Sequence, residues 1–408
     1  MADLTFFHAA GVFDAVRPGL QAGAGLLVDD GRVAAVGPPD EVCPPGVTRV
    51  DLGEVYLVPG FVDAHTHVTI RPGEGDQHRQ LVQPPAWQAV RGVDNLRRML
   101  SCGVTTARIM TEEHGIDAHF KAAVATGEVA GPALRIAGRG LSPTGKHGSA
   151  AGGVDGPDAV RRAVRANADL GADHIKIFTT GGVSSTDSSL EESNYSAEEI
   201  AAIVDAASEL GLMVSAHAHG GAGVDLPAAA GVRSVEHGAM LTDSNITTMA
   251  EHGTWLVLTN TILFHPSGIE QGDAREPAIL RKVHQARESA RAVADQVRAA
   301  GIPIALGTDS MHGLFGYEMQ WLTEHGWSTE DALRAGTVHG AELMGVTDVG
   351  ALEPGRRADF VALRRDPLAD ITAVYDVAGV YRHGCQVVDR DGFTRPAPPT
   401  PTQHEEHR

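Results

Sequence analysis

Five short apolar runs in this chain each end in a side chain that can bind a metal, and few folds bring five strand ends together. The first run is Phe61-Val62-Asp63-Ala64-His65-Thr66-His67. Side chains two apart on a strand share a face, so His65 and His67 point the same way. Two imidazoles placed like this suit one divalent ion. With 20 histidines in 408 residues such pairs also arise by chance, and His217-Ala218-His219 is a second one. The weight therefore falls on what accompanies the pair.

In Ala172 to Phe178, Lys176 sits inside a β-branched, apolar run that ends in Thr179-Thr180-Gly181-Gly182. A charged ammonium there is desolvated. One reading has the lysine snorkel outward or pair with a carboxylate. The other has burial lower its pKa, so that the neutral amine captures carbon dioxide as a carbamate able to bridge two metals. Met213 to His217, Ser234 to His237 and Ile304 to Asp309 are further apolar runs with ligand-type ends. Singly, each is an ordinary core histidine or capping aspartate. Together, in the order His-x-His, Lys, His, His, Asp, they are not explained by chance.

Strand candidates begin near Phe61, Gly103, Ala133, His174, Met213, Val232, Trp255 and Pro303, with helical or loop stretches between them. Eight such units predict an α/β fold, a (β/α)8 TIM-like barrel whose strand carboxyl ends form one face. His65 and His67 then close strand 1, Lys176 lies on strand 4, and His217, His237 and Asp309 end strands 5, 6 and 8. The runs Gly25 to Val28, Arg32 to Val36 and Val47 to Leu52 read as short antiparallel strands between Asp-Gly and Pro-rich turns, and Phe360 to Arg390 has the same texture. They predict a small β-sandwich built from both chain ends. The expected division is 1–59 and 350–394 for the sandwich, 60–349 for the barrel, and a disordered tail at 395–408. Ala197 to Leu210 and Ile279 to Ala300 read as amphipathic helices. The Pro, Gly and Asp of 264–277 predict a long loop after strand 7, read as a lid.

A 42% hydrophobic composition supports a core of that size. There is no leader-like amino terminus and no apolar run of membrane-spanning length, so the expected compartment is the cytoplasm, with no membrane contact. A formal charge of −19 argues against nucleic acid, which requires clustered Lys and Arg. Cys43, Cys102 and Cys385 are few and scattered, which leaves nitrogen and oxygen to hold any metal. The only lysines are Lys121, Lys146, Lys176 and Lys282, so one kept inside a strand stands out, because arginine cannot form a carbamate.

The ligand order, with Tyr56-Leu57-Val58-Pro59-Gly60 before it and Leu352-Glu353-Pro354-Gly355-Arg356-Arg357-Ala358-Asp359-Phe360 after it, resembles the amidohydrolase superfamily in its two-metal, carboxylated-lysine subtype. Gly181-Gly182 after Lys176 and Gly145-Lys146-His147-Gly148 one strand earlier resemble its prolidase-like branch, whose members cleave dipeptides and N-acyl amino acids. The resemblance implies two divalent metals, zinc first, with manganese, cobalt or iron as alternatives. It places His65, His67 and Asp309 on one metal, His217 and His237 on the other, and a carbamate on Lys176 between them. A metal-bridging hydroxide attacks the amide and Asp309 passes its proton to the leaving amine. His147 donates to the oxyanion.

His219 falls where relatives often carry a tyrosine that contacts substrate. Arg108 and Tyr195 are further candidates for binding a substrate carboxylate. The expected substrate is a small molecule or peptide, and a homo-oligomer is allowed. Alternatives are a tailoring hydrolase for a modified peptide or cyclic amide, an esterase or lactonase, and a non-catalytic scaffold of the same fold.

Overall fold

The structure is a computed structural model that describes residues 4–150, 152–186, 188–389 and 392–393; the expected tail at 395–408 lies outside the described residues. Eight strands run parallel: β1 (Phe61–Thr66), β2 (Val104–Ile109), β3 (Ala133–Ile136), β4 (His174–Phe178), β5 (Met213–Ala218), β6 (Ser234–His237), β7 (Trp255–Leu258) and β8 (Ile304–Leu306). β1 to β3 form one sheet in consecutive order and β4 to β8 another. A parallel bridge from Leu141 to Ile177 joins the two on one side. On the other, Asp309 N donates to His65 O at 2.9 Å, which brings the end of β8 beside the end of β1.

Helices cover the crossovers because their apolar residues recur every three or four positions. Pro277–Ala300 buries Ile279, Val283, Ala286, Ala290, Val293, Ala294 and Val297 along one stripe. Ala197–Glu209 starts where the pattern Ser196-Ala197-Glu198-Glu199 predicts a capping box: Ser196 Oγ accepts from Glu199 N at 3.3 Å, and Glu199 Oε2 accepts from Ser196 N at 2.9 Å. Residues 264–277 are more ordered than a simple loop, since a short helix, Ile269–Gly272, packs on Pro72–Glu74. Among the described residues no helix is long and apolar enough to cross a membrane.

Both chain ends share one sheet, in which Tyr56–Pro59 pairs antiparallel with Phe360–Leu363. Alternation along Phe360–Leu363 serves two cores at once. Phe360 and Ala362 face the four-stranded amino-terminal sheet, with Phe7 5.2 Å from Phe360 ring to ring. Val361 and Leu363 face the floor of the parallel strands with Val58, Phe61 and Val104. The amino-terminal strands are not all antiparallel as expected: Thr5–His8 pairs in parallel with Thr48–Asp51, and Gly11–Val12 with Tyr56–Pro59. The intervening chain is long enough for these crossovers, which a tight turn would forbid.

Candidate metal centre

All six ligand positions meet at the carboxyl ends of the parallel strands. His65 Nε2 and His67 Nε2 lie 3.5 and 3.4 Å from Asp309 Oδ1, and His237 Nδ1 lies 4.0 Å from Oδ2. The His217 ring is 4.6 Å from that of His237. Register accounts for the meeting, since Phe178 pairs with His217 and Ala218 with His237, which stacks the three strand ends. His237 at φ 74° and Asp309 at φ 45° both adopt the left-handed region. That conformation costs about 1–3 kcal/mol for a non-glycine residue and is a form of strain concentrated at functional sites.

Four imidazoles each have one nitrogen secured by the protein. His65 Nδ1 meets Glu236 Oε2 at 2.7 Å, His67 Nδ1 the Thr111 carbonyl at 3.0 Å, His217 Nε2 the Gly181 carbonyl at 3.2 Å, and His237 Nδ1 Thr259 Oγ1 at 2.7 Å. A metal-binding histidine is oriented in this way through its second nitrogen. Burial drives the pKa of His217 and His237 well below the ordinary value, so both rings are neutral and each offers a lone pair. Lys176 Nζ is buried and has no hydrogen-bond partner among the described residues. Burial lowers its pKa to about 8 against the attraction of Glu236 and Asp309. Imidazole nitrogens, one carboxylate and an amine without a hydrogen-bond partner suit borderline divalent cations, and among the described residues no cysteine lines the pocket.

Several supporting groups were not found from the sequence. Glu236 accepts from Arg108 at 2.9 and 3.0 Å and holds His65. Burial alone would raise its pKa, but Arg108 and His65 outweigh that and keep it ionised, far below the usual carboxylate range. Asp63 accepts from Thr308 Oγ1 at 2.6 Å and Thr308 N at 3.1 Å, tying β1 to the turn that carries Asp309, while burial pushes its carboxyl up to about 7. Each of these residues sits in an apolar strand two residues from another polar side chain, Ser234 or His65. That spacing was the available signal.

His147 and His219 both line the pocket. His147 Nδ1 is engaged by Ser185 Oγ at 2.7 Å and His78 Nε2 at 3.3 Å, which leaves Nε2 for the pocket. Both ring nitrogens of His219 are buried without a hydrogen-bond partner among the described residues. Arg108 and Tyr195 lie elsewhere. Arg108 is buried beneath the cluster and committed to Glu236, Ser234 and the Ala64 carbonyl. Tyr195 is buried among Leu141, Val160 and Ile200 and donates to the Val154 carbonyl at 3.0 Å. Neither lines the pocket: the interior of the strands engages the polar atoms that were expected to meet a substrate carboxylate.

Replacing Glu236 by Gln leaves Arg108 without its charge partner and His65 without its acceptor of fixed sign. Unpairing a buried charge costs about 3–5 kcal/mol, and loss of a ligand-orienting group weakens metal affinity by roughly 10–100-fold. Glu236→Gln is therefore expected to lower both the melting temperature and the metal affinity, measured by thermal unfolding and by competition with a chelator. Wild-type values for both would show that Glu236 supports neither.

The amidohydrolase family profile matches residues 56–387. The chain is 30% identical to ochratoxinase of Aspergillus niger over 77% of this chain and 71% of that protein. A prolidase solved with N-methylphosphonate-L-proline superposes with a TM-score of 0.85 at 30% identity, covering 94% of this chain and 99% of its own. A Xaa-Pro dipeptidase with methionine in its active site gives 0.86 at 26% identity, with the same coverage.

Proposed function

Because the chain belongs to the amidohydrolase family, and its similarities lie in the prolidase-like branch, we propose that it hydrolyses the amide bond of a peptide or N-acyl amino acid with two divalent metals, zinc first. One observation carries this reading: four imidazoles with secured second nitrogens converge on Asp309 beside an unpartnered buried lysine. The eight parallel strands are read as a closed (β/α)8 barrel, supported by the contacts at both seams.

His65, His67 and Asp309 would hold one cation and His217 and His237 the other, with Lys176 available beside both as a carbamate. The carbamate forms when the neutral Nζ attacks the carbon of carbon dioxide and gives up one proton, and an Nζ without a competing partner suits that step. When bound, the metals supply a water of lowered pKa and polarise the substrate carbonyl. The side chains do the rest. Asp309, next to both His65 and His67, takes the proton of the attacking water and delivers it to the leaving nitrogen. His147 donates from Nε2 to the carbonyl oxygen as it gains charge, its ring held from the Nδ1 side. His219, with neither nitrogen hydrogen-bonded among the described residues, contacts a non-reacting part of the substrate.

The purified protein is expected to contain close to two transition-metal ions per chain, to hydrolyse members of a dipeptide and N-acyl amino acid panel, and to lose that activity on chelation. Elemental analysis of an active, metal-free sample would refute the reading.

A further inference from the structure

The pocket beside Asp309 has two unlike halves. One is the imidazole cluster. The other is aliphatic, lined by Ile70 and Leu81 from the segment after β1, Val183 from that after β4, and Ile262, Leu263 and Ile269 from that after β7. All six are buried. The last four pack in one cluster with Ile279 and Val283 of the long helix, which backs the wall and holds its shape. Among the described residues, Asp309 and Lys176 are the only Asp, Glu, Lys or Arg side chains in the pocket lining.

Two of the three contributing segments are clasped together. A Cβ on Gly75, at φ +69°, would lie 2.5 Å from the Gly272 carbonyl oxygen, and one on Gly272 would lie 2.0 Å from that of Pro72. Only glycine permits this backbone approach. Gln271 Nε2 donates to Gly73 O at 3.4 Å and Asp76 N to Asp273 Oδ1 at 3.3 Å, closing the contact on either side.

We propose that this clasp fixes an aliphatic wall that selects amide substrates carrying a bulky, uncharged, apolar group, with Ile269 and Gly272 as specificity determinants. The inference rests on the amide-hydrolase reading and adds the substrate class to it. A charged group against this wall loses its water and meets no side chain of opposite charge on it, whereas a branched or aromatic group gains by burial.

The test uses the zinc-loaded full chain with N-acetyl-leucine, N-acetyl-phenylalanine, N-acetyl-aspartate and N-acetyl-lysine, which share the scissile amide and the α-carboxylate. Ile269→Asp and Gly272→Ala are assayed beside it, with metal content measured for each. The leucine and phenylalanine substrates are expected to exceed the charged ones by about 10²-fold in kcat/KM. Ile269→Asp should shrink that ratio for lysine, and Gly272→Ala should raise KM for leucine, with two metals retained in both. Equal kcat/KM for charged and apolar substrates overturns the proposal, as does an unchanged ratio in Ile269→Asp. Should Gly272→Ala lose its metal, and with it the sign of a native fold, Ile269→Asp decides alone. No turnover of any substrate by metal-loaded protein overturns the amide-hydrolase reading, and this inference with it.

Discussion

Lys176→Ala is expected to abolish turnover and most metal binding while leaving the fold intact. The fold should survive because Nζ makes no hydrogen bond among the described residues that its removal would orphan. The activity should not, because the pocket lining holds no second lysine that could carry a carbamate in its place. The loss should exceed the about 10²–10⁴-fold that a single acid–base group contributes. Lys176→Arg sharpens the point, since a guanidinium keeps the charge but is never neutral and cannot be carboxylated. Short carboxylic acids added to Lys176→Ala should restore part of both metal content and rate by filling the vacated space. Full activity in Lys176→Arg would end the carbamate idea.

Asp309→Asn separates holding a metal from moving a proton. Asparagine keeps an oxygen where the carboxylate had one, and it tolerates the left-handed backbone that Asp309 adopts at φ 45°, so the turn between β8 and His65 should be preserved. What it cannot do is accept and pass on a proton. Turnover is therefore expected to fall about 10²–10⁴-fold, with metal content reduced far less. A decrease below tenfold, with metals bound, would assign proton transfer to another group, and His147 would be the next to substitute.

Whatever depended on local period was legible in the chain. His65 and His67 share a face because they are two apart, Lys176 is buried because the residues on either side of it are β-branched, and the other apolar runs bring His217, His237 and Asp309 to or just past strand ends. Partnerships set by strand closure were not legible. Arg108 and Glu236 are 128 positions apart, and nothing in either neighbourhood says that both point inward at the same height. An arginine at a strand end reads equally well as a substrate contact, and only the identity of its acceptor separates the two readings. The partner of Tyr195 was hidden for the same reason, its hydroxyl meeting a carbonyl 41 positions away. The parallel pairing of Thr5–His8 with Thr48–Asp51 was hidden because short alternating runs carry no mark of direction.

The four-residue strand Phe360–Leu363 faces two cores with alternate side chains, and this has a consequence for biosynthesis. Every strand that bears one of the candidate site residues leaves the ribosome before it does. A nascent chain with all eight parallel strands complete still lacks one of the two partners of Tyr56–Pro59, its only other being Gly11–Val12 among the described residues. Val58, Phe61 and Val104 are then uncovered below, and Phe7 lacks its aromatic neighbour above. Exposed apolar surface and an unpaired strand edge are what chaperones recognise and what aggregation exploits. The catalytic apparatus is thus encoded early but secured late, when the carboxyl-terminal strand docks and seals both cores in one step.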